Sequence, residues 1–145
     1  CDGYRPILLV IRHHEPAEVY ELFRAADICI VSSLHDGMNL VAKEFVAARD
    51  DEHGILVLSS FAGASRELSE ALIVNPYDTH GMAEALAVAL NMPAAEQRDR
   101  MRLMRDLVRQ RNVYRWAAQM LLDAARVRRR EALTSRLGTS APSAA

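Results

Sequence analysis

Ser33-Leu34-His35-Asp36-Gly37-Met38-Asn39-Leu40-Val41-Ala42-Lys43-Glu44 gathers the residues of this chain best suited to hold an anion and a set of hydroxyls together. The stretch follows the apolar run Ile28-Cys29-Ile30-Val31 and leads into Phe45-Val46-Ala47-Ala48, rich in helix formers. That order predicts a strand, a short polar loop with a glycine, and a helix over about residues 39–49. A helix's first turn carries backbone N–H groups without intrahelical partners and the positive end of its dipole, so the junction suits an anion. Glu44, at i+4 from Leu40, can reach back toward the loop because helical Cβ bonds tilt toward the N-terminus. Gly37 is read as the point where backbone can approach a ligand closely and adopt φ > 0. Amides for a phosphate and a carboxylate for hydroxyls together suggest a sugar nucleotide.

The elements that would position this stretch follow from periodicity. Ile7-Leu8-Leu9-Val10-Ile11 is a continuous apolar, β-branched run, which predicts a strand buried on both faces. After it, Arg12-His13-His14-Glu15-Pro16 reads as a polar turn, with Pro16 suited to a first helical position. Val19, Leu22, Phe23 and Ala26 then recur at helical spacing, and Asp27 ends that helix before the strand Ile28–Val31. Arg49-Asp50-Asp51-Glu52-His53-Gly54 is a charged connection closed by glycine. Ile55–Ser59 predicts a third strand, Phe61 to Leu68 a small-residue loop entering a helical turn, and Leu72-Ile73-Val74 a short fourth strand. Asp78 or Thr79 caps the next helix, which Pro93 breaks. Short apolar strands alternating with helices predict an α/β fold with a mostly parallel, Rossmann-like sheet. Ligands of such sheets bind beyond the carboxyl ends of the strands. The loops at His13-His14, 33–38, 61–65 and 75–78 all fall at that edge. His13 and His14 have no further ligands at suitable spacing, so no metal site is expected.

From Ala94 helical spacing continues through Met101, Met104, Leu107 and Val108, and again through Tyr114, Trp116, Met120, Leu121 and Ala124, with Asn112 as the break. These apolar positions are read as core and Trp116 as an anchor of helix packing. Arginines dominate residues 98–130, but the formal net charge of the chain is only −1 and no nucleic-acid motif is present, so a solvated or partner-docking helical face is expected. Residues 132–145 read by composition as a disordered tail. At 145 residues the chain bounds one ordinary domain. No apolar run of about 18 residues predicts a membrane span. No signal-peptide pattern opens it, and the first residue is Cys1 rather than Met, which points to a piece of something longer. Cys1 and Cys29 give no disulfide framework or ligand spacing. Cys29 reads as a buried core thiol, and a reducing cytoplasm is the default.

Residues 34–44 strongly resemble the donor-site signature of the trehalose-6-phosphate synthase family, retaining glycosyltransferases of the GT-B type. The likeness continues through Ala25-Ala26-Asp27, Phe61-Ala62-Gly63-Ala64 and Ala71-Leu72-Ile73-Val74-Asn75-Pro76-Tyr77-Asp78, covering nearly everything from Pro6 to Trp116. The resemblance implies that residues 1–131 are an incomplete GT-B C-terminal, donor-binding domain. It implies transfer of glucose from UDP-glucose to glucose 6-phosphate with retention, giving trehalose 6-phosphate, with no metal or cofactor. Asp36 would carry the catalytic role and, with Gly37, Met38 and Asn39, hold the donor glucose. The backbone amides of Leu40 and Val41 would meet the diphosphate, within a UDP site spanning Leu40, Val41, Ala42, Lys43 and Glu44. Glu44 would accept from the ribose hydroxyls, and His14 falls near the uracil-contacting position. Lys43, the only lysine in the chain, also reads simply as a salt-bridge partner.

Departures from the family pattern narrow this. No Arg-x4-Lys phosphate clamp can exist here, because residue 38 is Met, and the family's N-terminal acceptor domain has no counterpart. The chain alone is therefore expected to bind donor weakly and not to turn over. Glucosylglycerol-phosphate synthase and a non-catalytic sugar-nucleotide-binding regulatory subunit are the alternative readings. Neither nucleic acid nor membrane is expected as a partner.

Overall fold

A computed structural model of the chain describes residues 6–111 and 113–138. The elements in order are helix α1 (Pro16–Ala25), strand β1 (Ile28–Val31), α2 (Leu40–Ala48), β2 (Ile55–Ser59), a 3-10 turn (Gly63–Arg66), β3 (Leu72–Val74), α3 (Thr79–Asn91), α4 (Ala94–Gln110) and α5 (Val113–Gly138). The strands form one parallel sheet in the order β1-β2-β3, with Ile28 opposite Ile55 and Val57 opposite Leu72. From α1 onward the alternation read from sequence is the fold observed. Pro16 opens α1, Asp78 caps α3 by accepting from the Gly81 N–H, and Pro93 separates α3 from α4. No helix among the described residues is long and apolar enough to cross a membrane.

The core sits on the middle strand. All five residues of β2 are buried, because it has a neighbour on each edge and helices nearby. On one face Ala89 and Met92 pack with Ile55, Ile28 and Leu72. Ala42, Phe45 and Val46, at i, i+3 and i+4, are the buried stripe of α2. Phe45 meets Phe23 of α1 edge-to-face at 5.9 Å.

Two arginines close the C-terminal ends of helices. The guanidinium of Arg49, with only 5% of its side chain exposed, donates from Nη1 to the carbonyls of Phe23, Arg24 and Ala26 at the end of α1. Its Nε and Nη2 donate to the two carboxylate oxygens of Asp51, each at 3.0 Å. Gly54, at φ +90°, passes so close that an added Cβ would lie 3.2 Å from Cζ of Arg49. Arg105 of α4 is likewise buried and donates to the carbonyls of Val46 and Ala47, which end α2. The connection at 49–54, read from sequence only as charged, is therefore organised around one buried cation.

Four expectations are corrected. Residues 7–11 form no strand: Ile7, Leu8, Leu9 and Ile11 are 78–85% exposed and have no ladder partner among the described residues. Apolar β-branched sequence favours extended backbone, but a strand exists only through pairing with a neighbour. His13-His14 consequently does not follow a strand end. Trp116 is 53% exposed, and Tyr114, Met120 and Leu121 are at least as open to within a percent, so α5 is no buried helix, whereas Met101 and Met104 of α4 are core. Helix α5 continues to Gly138, past position 132 where the tail was expected; no proline or glycine interrupts it earlier. The break expected at Asn112 and the last residues, 139–145, lie outside the described residues. The boundary between two compact units falls between Arg105 and Asp106, within α4.

Removing the Arg49 guanidinium leaves buried carbonyls of α1 without donors. Arg49→Met should lower unfolding free energy by about 3 kcal/mol, whereas Arg24→Ala, which breaks the exposed pair with Asp50, should cost no more than about 0.5 kcal/mol. Urea midpoints of the two variants check this, and equal shifts would refute it.

Candidate functional site

The chain leaves β1 at Val31 and turns through a loop that its own side chains tie down. Asp36 Oδ1 accepts from the backbone N–H of Met38 (3.1 Å) and of Asn39 (2.8 Å), and Oδ2 accepts from Asn39 Nδ2 (2.9 Å). Asn39 Nδ2 also donates to Ser33 Oγ at 3.3 Å, and Asn39 Oδ1 caps α2 by accepting from the Ala42 N–H at 2.9 Å. Asn39 sits at φ +63°, a left-handed backbone that Asn tolerates better than most residues. With Ala42 satisfied by the cap, the N–H groups of Leu40 and Val41 remain as first-turn donors that no carbonyl of the helix can reach.

These donors lie beside an open depression of about 340 Å3, lined by Ile30, Val31, Ser32, Ser33, Asn39 and Val41. It occupies the C-terminal end of β1 and the start of α2. Hydroxyls at Ser32 and Ser33, first-turn amides and a positive dipole end make this a place for a polyhydroxylated anion. Glu44 is partly buried one turn further along α2. The Asp36 carboxyl is held below its ordinary value, first by the Met38 N–H and next by the Asn39 side chain. It is an anion and hydrogen-bond acceptor, and its first task is to order the loop.

A second loop backs the first. Asp36 and Ala62 form an isolated parallel bridge, with the Asp36 N–H donating to the Phe61 carbonyl (3.4 Å) and the Gly63 N–H to the Asp36 carbonyl (2.9 Å). Lys43 Nζ lies 2.9 Å from Glu67 Oε2, tying α2 to the segment after the 3-10 turn, so its salt-bridge reading holds.

Residues 36–44 are thus brought together at the start of α2, and His14 lies just before α1, against Glu18. Its Nδ1 lies 3.1 Å from Glu18 Oε2 in the first turn of α1, without forming a hydrogen bond, and has no other partner among the described residues. Gly37 also departs from expectation, because the left-handed residue is Asn39 instead. A Cβ at Gly37 would meet nothing within 4 Å, so this glycine borders open space. The sequence did carry a signal for Asn39: an amide residue just before an apolar helical run is a favoured cap. Nothing local distinguished Gly63 or the two capping arginines.

The family model for glycosyltransferase family 20 matches residues 1–126. A trehalose-6-phosphate synthase of Klebsiella pneumoniae is 47% identical over 122 residues, covering 83% of this chain and 26% of that protein. A bifunctional trehalose-6-phosphate synthase/phosphatase of Thermoproteus tenax is 47% identical over 116 residues, 80% of this chain and 16% of that one. Among solved structures, the E. coli protein bound with UDP-2-fluoro glucose superposes with a TM-score of 0.81 at 43% identity, covering 85% of this chain and 28% of the other. An α,α-trehalose-phosphate synthase (UDP-forming) from Burkholderia xenovorans, in complex with glucose 6-phosphate, gives 0.79 at 51% identity, covering 83% and 27%. The chain spans about a quarter of the length of the Klebsiella relative.

Protonating Asp36 would weaken the acceptor that orders its loop. A carboxyl whose folded pKa lies below the ordinary value of about 3.9 stabilises the fold above that value, and this is lost as pH falls through the lower, folded one. Hydrogen exchange at the Met38 and Asn39 amides, corrected for intrinsic rates, should stay protected down to the ordinary carboxylate value of about 3.9 and lose protection only below it. Asp36→Asn should weaken that protection already at neutral pH. Protection that survives acid unchanged would refute the role given to Asp36.

Proposed function

The chain belongs to glycosyltransferase family 20, and from this we propose that it is the nucleotide-sugar-binding part of a retaining α,α-trehalose-phosphate synthase. Its donor is UDP-glucose, its acceptor glucose 6-phosphate and its product trehalose 6-phosphate. The single observation that carries this reading is the capped start of α2. Asn39 takes the Ala42 amide and leaves those of Leu40 and Val41 beside a depression with room for a sugar phosphate.

On this reading the diphosphate meets the Leu40 and Val41 amides. As the bond to glucose breaks, charge grows on the leaving diphosphate, and donors already fixed in place stabilise it without reorganising. Ala42 contributes no amide, since its N–H is held by the cap. Lys43 braces α2 through Glu67, and its charge adds to the positive field at that helix. Glu44 accepts from the ribose hydroxyls. Asp36, Gly37, Met38 and Asn39 hold the glucose, with Gly37 giving it space and Asp36 accepting a hydroxyl. His14 is the uracil contact only if the base extends to the start of α1. Residues 1–131 form part of the donor-binding lobe of a GT-B enzyme. Both substrates are cytoplasmic metabolites, and the reading puts the protein there.

UDP-glucose should bind the chain measurably by titration calorimetry, and added glucose 6-phosphate should yield no trehalose 6-phosphate. Glu44→Ala should weaken binding by about 1.5–3 kcal/mol, the worth of a charged hydrogen bond. Gly37→Ala should leave the melting temperature unchanged, since the methyl meets no protein atom, yet weaken UDP-glucose. Absent binding, or unaltered affinity in both variants, would overturn the proposal.

A further inference from the structure

Gly63 lies outside every residue given a ligand contact above, but its lack of a side chain determines where the sugar loop can be. An ideal Cβ there would lie 2.1 Å from the Gly37 carbonyl oxygen and 2.9 Å from its carbon. Both are backbone atoms, so no side-chain rotation relieves the overlap. Restoring an ordinary contact requires the Gly37 peptide to move by on the order of 1 Å. We propose that Gly63 is a positioning residue for the donor-sugar loop, setting the Gly37 peptide at the depth the glucose requires. The inference rests on the donor reading above and extends it to the loop after β2.

Three observations make the backing rigid and the effect local. The Gly63 N–H donates to the Asp36 carbonyl while the Asp36 N–H donates to Phe61, so the two loops are registered by backbone on both sides. Behind Gly63 the chain is anchored by Ala64 and Leu68, both buried, with the Leu68 N–H donating to Ala64. A Cβ at Gly37 itself meets nothing within 4 Å. A methyl at Gly63 therefore displaces the Gly37 peptide away from Gly63. The amides of Leu40 and Val41 are held separately, by the Asn39 cap and by the buried Ala42, Phe45 and Val46 of α2. The sugar end should suffer and the diphosphate end should not.

UDP-glucose and UDP are titrated against the unmodified chain and Gly63→Ala. The expected result is UDP-glucose at least about fivefold weaker, the scale of one lost hydrogen bond, with UDP changed less than about twofold. A general destabilisation would weaken both alike, and that outcome, or no change in either, overturns the positioning role. Where Gly63→Ala fails to fold, hydrogen exchange of the unmodified chain decides. The Gly63 amide should slow more with UDP-glucose than with UDP, and equal slowing overturns the role. If the unmodified chain binds neither ligand, the donor reading falls and this inference with it. If it binds both and no split appears, only the role of Gly63 falls.

Discussion

A parallel strand hands its chain to a helix whose first amides have no carbonyl to meet, and the site depends on how Asn39 resolves that mismatch. One side chain spans three neighbours: it accepts from the Ala42 N–H and donates to Ser33 and Asp36. Its backbone takes the left-handed turn that lets the loop double back. A conventional cap such as Ser could supply the acceptor but has no second group to reach both Ser33 and Asp36. Satisfying Ala42 alone leaves Leu40 and Val41 as the donors, at the depression rather than deeper in α2. The anion site is thus defined by which amide the protein uses for itself.

The opposite helix ends are treated in the opposite way. The last carbonyls of α1 and α2 are met by buried guanidinium groups, from Arg49 and Arg105. A cation at a helix C-terminus complements the negative end of the dipole, and Arg has enough donors to serve several carbonyls at once. Burying such a charge is costly unless it is fully paired. Arg49 meets that condition through three carbonyls and Asp51, whose carboxyl is itself held below its usual range despite burial, by the His53 amide and by Arg49. Closed C-terminal ends and an open N-terminal end give the helix layer its functional polarity.

This contrast explains what was legible in the sequence. Local chemistry was: Pro16 at a helix start, Asp78 as a cap, Pro93 as a break, and the strand-loop-helix stretch around Asp36. Long-range partnership was not. Arg49 bonds carbonyls more than twenty residues earlier, and Arg105 those of α2 nearly sixty residues earlier, so neither stood out among the other arginines. The run at residues 7–11 failed for the same reason in reverse, since strand-like composition cannot supply a neighbour. Gly37 attracted the φ > 0 reading because glycine is the usual answer, yet Asn39 takes the turn and the glycine at 63 makes the close approach.

Asp36 shows how one residue can hold the loop and still serve a ligand. A carboxylate offers about four acceptor positions. Oδ1 uses two on the Met38 and Asn39 amides, and Oδ2 uses one on the Asn39 side chain. One position remains on Oδ2, enough for a single sugar hydroxyl, without giving up any bond that orders the loop. The same hydrogen bonds keep the group ionised near neutral pH, so it accepts and does not donate a proton. A general acid needs its pKa raised toward the working pH, and here it is pushed the other way. On the donor reading, the part of Asp36 in glycosyl transfer is therefore to orient the sugar, and the charge that grows on the leaving diphosphate is left to the amides of Leu40 and Val41.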